Sequence, residues 1–109
     1  MAATYKVLGQ VNPAATTATT LYTVPSSTST VISTITVANL AGTGATYRIS
    51  VRPAGAVQTN AMYVAYDVTV GGLDTTTITL GITLAATDVV TVYASTANVT
   101  FNVFGSEIS

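Results

Sequence analysis

Ala45-Thr46-Tyr47-Arg48-Ile49-Ser50-Val51-Arg52 alternates without a fault. Tyr47, Ile49 and Val51 fall on one parity; Thr46, Arg48, Ser50 and Arg52 fall on the other. Successive side chains of a strand point to opposite faces of a sheet, so this stretch predicts a half-buried β-strand with its apolar side inward. Ala41-Gly42-Thr43-Gly44 before it and Pro53-Ala54-Gly55 after it are turn sequences.

The flanking chain repeats the pattern. Residues 75–80 set Thr76, Ile78 and Leu80 against Thr75, Thr77 and Thr79. Residues 88–94 carry Val90 and Val92 on one face and Val89, Thr91 and Tyr93 on the other. Residues 99–104 set Val99, Phe101 and Val103 against Thr100, Asn102 and Phe104. Residues 31–40 form the longest predicted strand. There Val31, Ile35 and Val37 share a parity and Ile32 has the other, which calls for a twist, a bulge or contact on both faces near the start. Residues 20–24 make a short strand stopped by Pro25. Residues 4–10 make another, with Tyr5, Val7 and Gly9 on one face, broken by Asn12-Pro13. Residues 61–67 and then 68–70 lead to the Gly71-Gly72 break, and residues 81–87 read as a connection whose Ile82 and Leu84 tuck into the core. No convincing helical period is present, and Thr and Val, stiff at χ1, favour strands.

About eight strands at intervals of roughly 8–14 residues, punctuated by Gly, Pro and Asn, predict an all-β fold, an antiparallel β-sandwich. A single domain over residues 1–109 is expected from the length. Jelly-roll and immunoglobulin-like topologies both fit, although the Cys–Trp–Cys hallmark of antibody domains is missing.

Composition narrows the function. Only seven residues are charged: Lys6, Arg48 and Arg52 against Asp67, Asp74, Asp88 and Glu107. That 6% is far below the ~25% of an ordinary soluble domain. The chain has no His, Cys or Trp, but 23 Thr and 8 Ser. His- or Cys-based catalysis, thiolate metal sites and disulfides lack their parts. A Ser–Lys dyad would have to use Lys6, the only lysine. Leu73-Asp74-Thr75-Thr76 begins like the Asp-Thr-Gly loop of aspartic proteases but has Thr76 where the motif needs Gly. Asp74 is expected to hold turn backbone instead, and Asp88 to hold backbone donors beside its strand. No two of Asp67, Asp74 and Asp88 are close enough in sequence for a calcium loop. The chain is therefore expected to be no enzyme and to need no cofactor or metal. Three basic residues make no footprint for nucleic acid. Mean hydropathy is +0.56, yet no apolar run approaches the ~20 residues that cross a membrane. The first residues, Met1-Ala2-Ala3-Thr4-Tyr5-Lys6, lack the apolar core of a signal peptide, so synthesis in a cytoplasm is expected.

So sparse a charge predicts a surface covered by neighbours. Arg48 and Arg52 lie on one outward parity, ~13 Å apart in a strand. They either keep that face solvated or pair with acids of an adjacent subunit. Tyr5, Tyr47 and Tyr66 fit core parity; Tyr22, Tyr63, Tyr93 and Phe104 are the aromatics expected outside. The candidate subunit-interface residues are thus Arg48, Arg52, Tyr22, Tyr63, Tyr93 and Phe104. The same exposed aromatics would suit stacking on sugar rings, although Trp, the usual platform, is absent.

Leu21-Tyr22-Thr23-Val24-Pro25 with its Ser/Thr loop, the Val/Ile strand ending at Asn39, Tyr47-Arg48 within its strand, and the closing 84–93 and 99–105 stretches carry a resemblance. Across most of its length the chain resembles small virion structural proteins of tailed bacteriophages, many of them cyanophages. The resemblance implies a virion β-sandwich without catalytic residues. Together with the small size and uncharged exterior, it makes a head decoration (cement) protein the expected role. Such a protein sits on the capsid surface, bridges neighbouring subunits, and has the major capsid protein and copies of itself, as a trimer, for partners. The alternative is a tail, fibre or baseplate accessory protein that attaches to host-surface glycan.

Overall fold

The computed structural model describes residues 2–109. The strands are β1 (Ala3–Val11), β2 (Thr19–Thr23), β3 (Ser29–Asn39), β4 (Ala45–Arg52), β5 (Tyr63–Val70), β6 (Thr75–Ile78), β7 (Ile82–Leu84), β8 (Val89–Ala94) and β9 (Val99–Ile108). Two single 3-10 turns, Pro53–Gly55 and Asn60–Met62, lie in the β4–β5 connection. β4 has the bounds its alternation predicts. β9 runs on past the apolar pattern to Ile108, because residues 105–108 are paired on both sides, by β1 and β3. The expected connection at 81–87 contains β7, so nine strands replace about eight.

All pairings are antiparallel, in two sheets of order β1-β9-β3-β6 and β2-β8-β4-β5. β6 and β7 share one edge of β3: β6 faces Ile35 to Ala38 and β7 faces Thr30 to Ile32. Between them Gly81 takes a φ of +63°, a left-handed conformation that costs glycine little. β6 and β7 are therefore one strand broken at a kink. The chain then pairs from its ends inward: β1 with β9, β2 with β8, β3 with β6–β7, β4 with β5. A long hairpin wound into two sheets in this nested order is a jelly roll. Of the two topologies that the sequence leaves open, this is the one formed.

The core lies between the sheets. Ile35, Val37, Phe101 and Val103 from one sheet meet Tyr47, Ile49, Val90 and Val92 from the other, all essentially inaccessible to solvent. Each fully buried side chain of this kind contributes about 1.5–3 kcal/mol. Tyr47 meets Phe101 edge to face, with centroids 6.2 Å apart.

The two-parity apolar pattern of β3 has a local cause. Its register against β9 slips between Ile32 and Thr34. Before the slip Thr30 and Ile32 face inward; after it Ile35, Val37 and Asn39 do. The extra residue, Ser33, donates its hydroxyl to the Phe104 carbonyl at 3.1 Å. A matching slip in β1, between Val7 and Gly9, leaves β9 flanked by bulges near Phe104.

A bulge also corrects the expectation for Tyr22. The β2–β8 register slips between Thr20 and Tyr22, and Tyr22 points inward, only 7% exposed. Its hydroxyl donates to Glu107 and shares a 2.8 Å bond with Thr30 Oγ1. Glu107 also takes Lys6 Nζ at 2.7 Å. This cluster fastens the ends of β1 and β9 to β2. Burial first, and the bond to Glu107 second, push the Tyr22 phenol up to about 12. Hydrogen bonds from Lys6 and Tyr22 hold the Glu107 carboxyl below its ordinary value.

Two expected results follow from the cluster. Tyr22→Phe strands Thr30 and Glu107 and is expected to cost about 1–2 kcal/mol in denaturant unfolding. The wild-type phenol keeps its proton more tightly when folded than unfolded. That part of the stability is complete below pH 10 and is lost as the pH rises from 10 toward about 12. Alkaline unfolding, followed with the tyrosinate absorbance, is expected to lose this component in Tyr22→Phe. Glu107 works in the opposite direction. Its carboxyl is more acidic folded than unfolded, so its contribution is present above the ordinary glutamate range, about 4.3, and is lost as the pH falls through and below it. Glu107→Gln is expected to flatten the acid limb of a stability-against-pH curve below pH ~4 and to lower stability at neutral pH.

Candidate functional site

The outer face of the β2-β8-β4-β5 sheet gathers most of the predicted surface residues. In register, Arg48 sits beside Tyr93, Ser50 beside Thr91 and Arg52 beside Val89, all pointing away from the core. β5 closes this face as a doubly bulged edge, slipping against β4 on both sides of Ile49. The slips bring Tyr63 and Tyr66 to the same side although their sequence parities differ. Asp67 sits in one of them with φ +51°, a conformation that Asp tolerates better than most residues.

Arg48 is the hub. Its Nε donates to Asp67 Oδ1 at 2.6 Å and its Nη2 to Oδ2 at 3.3 Å, a forked ion pair. The guanidinium carbon lies 4.2 Å from the Tyr66 ring centroid and 4.3 Å from that of Tyr93, so the cation packs against two aromatic rings. Tyr63 meets Tyr66 nearly edge-on, with centroids 4.8 Å apart. The hydrogen bond from Arg48 holds the Asp67 carboxyl below the usual aspartate value, and Asp67 in turn raises Arg48.

Arg52 reaches the other way. It donates to the carbonyls of Ala56 at 2.8 Å and Gly55 at 2.9 Å, fixing the β4–β5 connection. Ser50, expected outside with the arginines, is instead buried, because its hydroxyl donates to Gln58 Oε1 at 2.6 Å where the connection folds back. A cleft of about 100 Å³ runs among Arg48, Arg52, Gln58, Tyr63 and Tyr93. Beside it an open depression of about 500 Å³ is lined by Asn60, Tyr63 and Tyr66.

Four of the six predicted residues, Arg48, Arg52, Tyr63 and Tyr93, thus share one face. Tyr22 does not; it lies in the core. Phe104 lies on the opposite side of the molecule, on the outer face of the other sheet. There Tyr5, at 84% exposure, pairs with Ser106, and Val7 pairs with Phe104. Val31 also pairs with Ser106, so an apolar strip crosses β1, β9 and β3. Tyr5, Val31 and Phe104 line a depression of about 410 Å³ on it. Two core expectations fail here. Tyr5 stands on the outward side of edge strand β1, and the bulges of β5 turn Tyr66 outward. Sequence reasoning also missed Tyr66 and Asp67 as partners of Arg48, because bulge positions leave no parity signal, and Gln58 of the β4–β5 connection as the partner of Ser50. The one hint is the identity of Asp67, a residue type enriched at positive φ.

The charges are all used inside the chain. Lys6 pairs with Glu107 and Arg48 with Asp67. Arg52 holds loop carbonyls; Asp88 accepts from the backbone N–H of Ala54 and Ala85; Asp74 accepts from that of Thr75. The expected turn roles of Asp74 and Asp88 are therefore seen. Arg48 and Arg52 have partners within the chain, Asp67 for the first and the Gly55 and Ala56 carbonyls for the second. Among the described residues no group of His, Cys, Asp and Glu could hold a metal, and no helix is long and apolar enough to cross a membrane. Comparison with protein-family models, with curated proteins and with solved structures found no match to the chain.

Proposed function

We propose that the chain is a structural protein of a tailed-phage virion, a decoration or cement protein on the capsid surface that bridges neighbouring subunits. The observation that carries this reading is a division of the surface. Every charged side chain is neutralised or hydrogen-bonded within the chain, while Tyr5, Val7, Val31 and Phe104 make an apolar strip on the outer face of one sheet. Lys6, which borders the strip, is already paired with Glu107, so docking there strands no unpaired charge, which would be costly. Jelly rolls recur among viral coat domains, an analogy at the level of fold alone. On this reading the strip faces the major capsid protein, further copies of the chain complete a trimer, and the protein is made in the host cytoplasm before it joins the particle.

Cryo-electron microscopy of the assembled particle tests the proposal. Density for the jelly roll over the capsid lattice is the expected result; its absence from the head overturns it. The alternative, a tail, fibre or baseplate accessory protein, predicts a far lower copy number, which densitometry of purified virions separates. The isolated protein is also expected to self-associate near pH 5, where its net charge approaches zero. A monodisperse monomer by light scattering at that pH would count against the covered surface.

A further inference from the structure

We propose that the outer face of the β2-β8-β4-β5 sheet binds a neutral saccharide, seated in the depression of Asn60, Tyr63 and Tyr66. The site is remote from the apolar strip and would serve a head or a tail protein alike, so it goes beyond the role proposed above and does not rest on it.

Three observations converge. First, Tyr66 is 55% exposed yet held in place, with the Arg48 guanidinium over one face of its ring and the Tyr63 ring at a steep angle to it. A ring fixed in this way can meet the C–H face of a pyranose with the surface that Arg48 leaves free, at little entropic cost. Second, polar groups with spare hydrogen-bonding capacity border the same hollow. The Asn60 amide and the hydroxyls of Tyr63 and Tyr66 have no hydrogen-bond partner among the described residues. Hydroxyl-rich ligands need such mixed donors and acceptors. Third, the local charge is already balanced. Arg48 is matched by Asp67, and Arg52 is committed to Gly55 and Ala56, so no free cation is left to hold a phosphate or sulfate. The depression, about 500 Å³, is within the ordinary range of small-ligand sites, roughly 300–1,000 Å³.

The test is a binding titration of the full chain by NMR. The probes are the methyl glycosides of glucose, galactose, mannose and N-acetylglucosamine, each to tens of millimolar, with inorganic phosphate as the anion control. At least one glycoside is expected to shift the ring resonances of Tyr63 and Tyr66 saturably, while phosphate does not. Tyr66→Ala is expected to weaken that binding at least about tenfold. Asn60→Ala, which leaves the Arg48 stack intact, is expected to weaken it several-fold, and Phe104→Ala on the far face to leave it unchanged. The proposal is overturned if no glycoside moves the Tyr63 and Tyr66 resonances, if the shifts map elsewhere, or if phosphate alone binds.

Discussion

Replacing Gly105 with alanine is expected to be strongly destabilising, by about 3 kcal/mol or more. A Cβ at this position would overlap the Val31 carbonyl oxygen and press on the Ile32 Cα at 3.0 Å and on Leu8 at 3.1 Å. β9 runs here between bulged strands on both sides, and the backbone of β3 comes too close for any side chain. Overpacking ordinarily costs about 1–3 kcal/mol. Here the obstacle is a main-chain carbonyl that cannot rotate aside, so the cost is expected at or above the upper end, about 3 kcal/mol. For a domain of this size that lowers Tm by roughly 12 °C or more, a large share of the ~5–15 kcal/mol that holds an ordinary fold. Gly42→Ala is the control. Its added Cβ meets nothing within 4 Å, so stability is expected to stay within about 0.5 kcal/mol of wild type. Thermal unfolding followed by circular dichroism separates the two. Equal melting temperatures for Gly105→Ala and wild type would mean that the β1-β9-β3 bulges are not placed as described.

The second large effect concerns docking. Tyr5 is 84% exposed, so Tyr5→Asp is expected to leave the fold and its melting temperature nearly unchanged. On the proposed contact face, however, the new carboxylate would be buried against the capsid without a partner. Burying an unpaired charge costs about 3–5 kcal/mol, and each 1.4 kcal/mol is a tenfold change in affinity. Binding of purified protein to undecorated heads is therefore expected to fall at least about a hundredfold. Tyr66→Ala, on the opposite face, is expected to bind heads like wild type. The reverse outcome, with Tyr5→Asp bound normally and Tyr66→Ala lost, would move the contact to the other sheet.

These two experiments probe features of different legibility. Strands whose apolar residues keep one parity could be read directly. β4 and the core half of β9 came out with Tyr47, Ile49, Phe101 and Val103 facing inward, because one buried face fixes register strongly. The bulge in β3 was legible as a conflict, two apolar parities in one strand, and resolved at Ser33. Bulges without such a conflict were silent. Those in β2 and β5 reversed the expected positions of Tyr22 and Tyr66, and with them part of the candidate site. Tyr5 was misplaced for another reason. It obeys strand alternation, but on an edge strand with an exposed outer face, and alternation does not say which parity is the core.

The sequence by itself determined an all-β sandwich, excluded His- and Cys-based chemistry, and marked Arg48, Arg52, Tyr63 and Tyr93 as surface residues. Those conclusions rest on composition and on period-2 patterning, which are local. Only the tertiary structure decided the jelly-roll order, the partners of the charges and the two faces. Strand pairing such as Tyr5 beside Ser106, or a carboxylate reaching from Asp67 to Arg48, joins residues distant in the chain. One extra residue in a bulge shifts every later side chain to the other face, and no local pattern records where that residue will be absorbed.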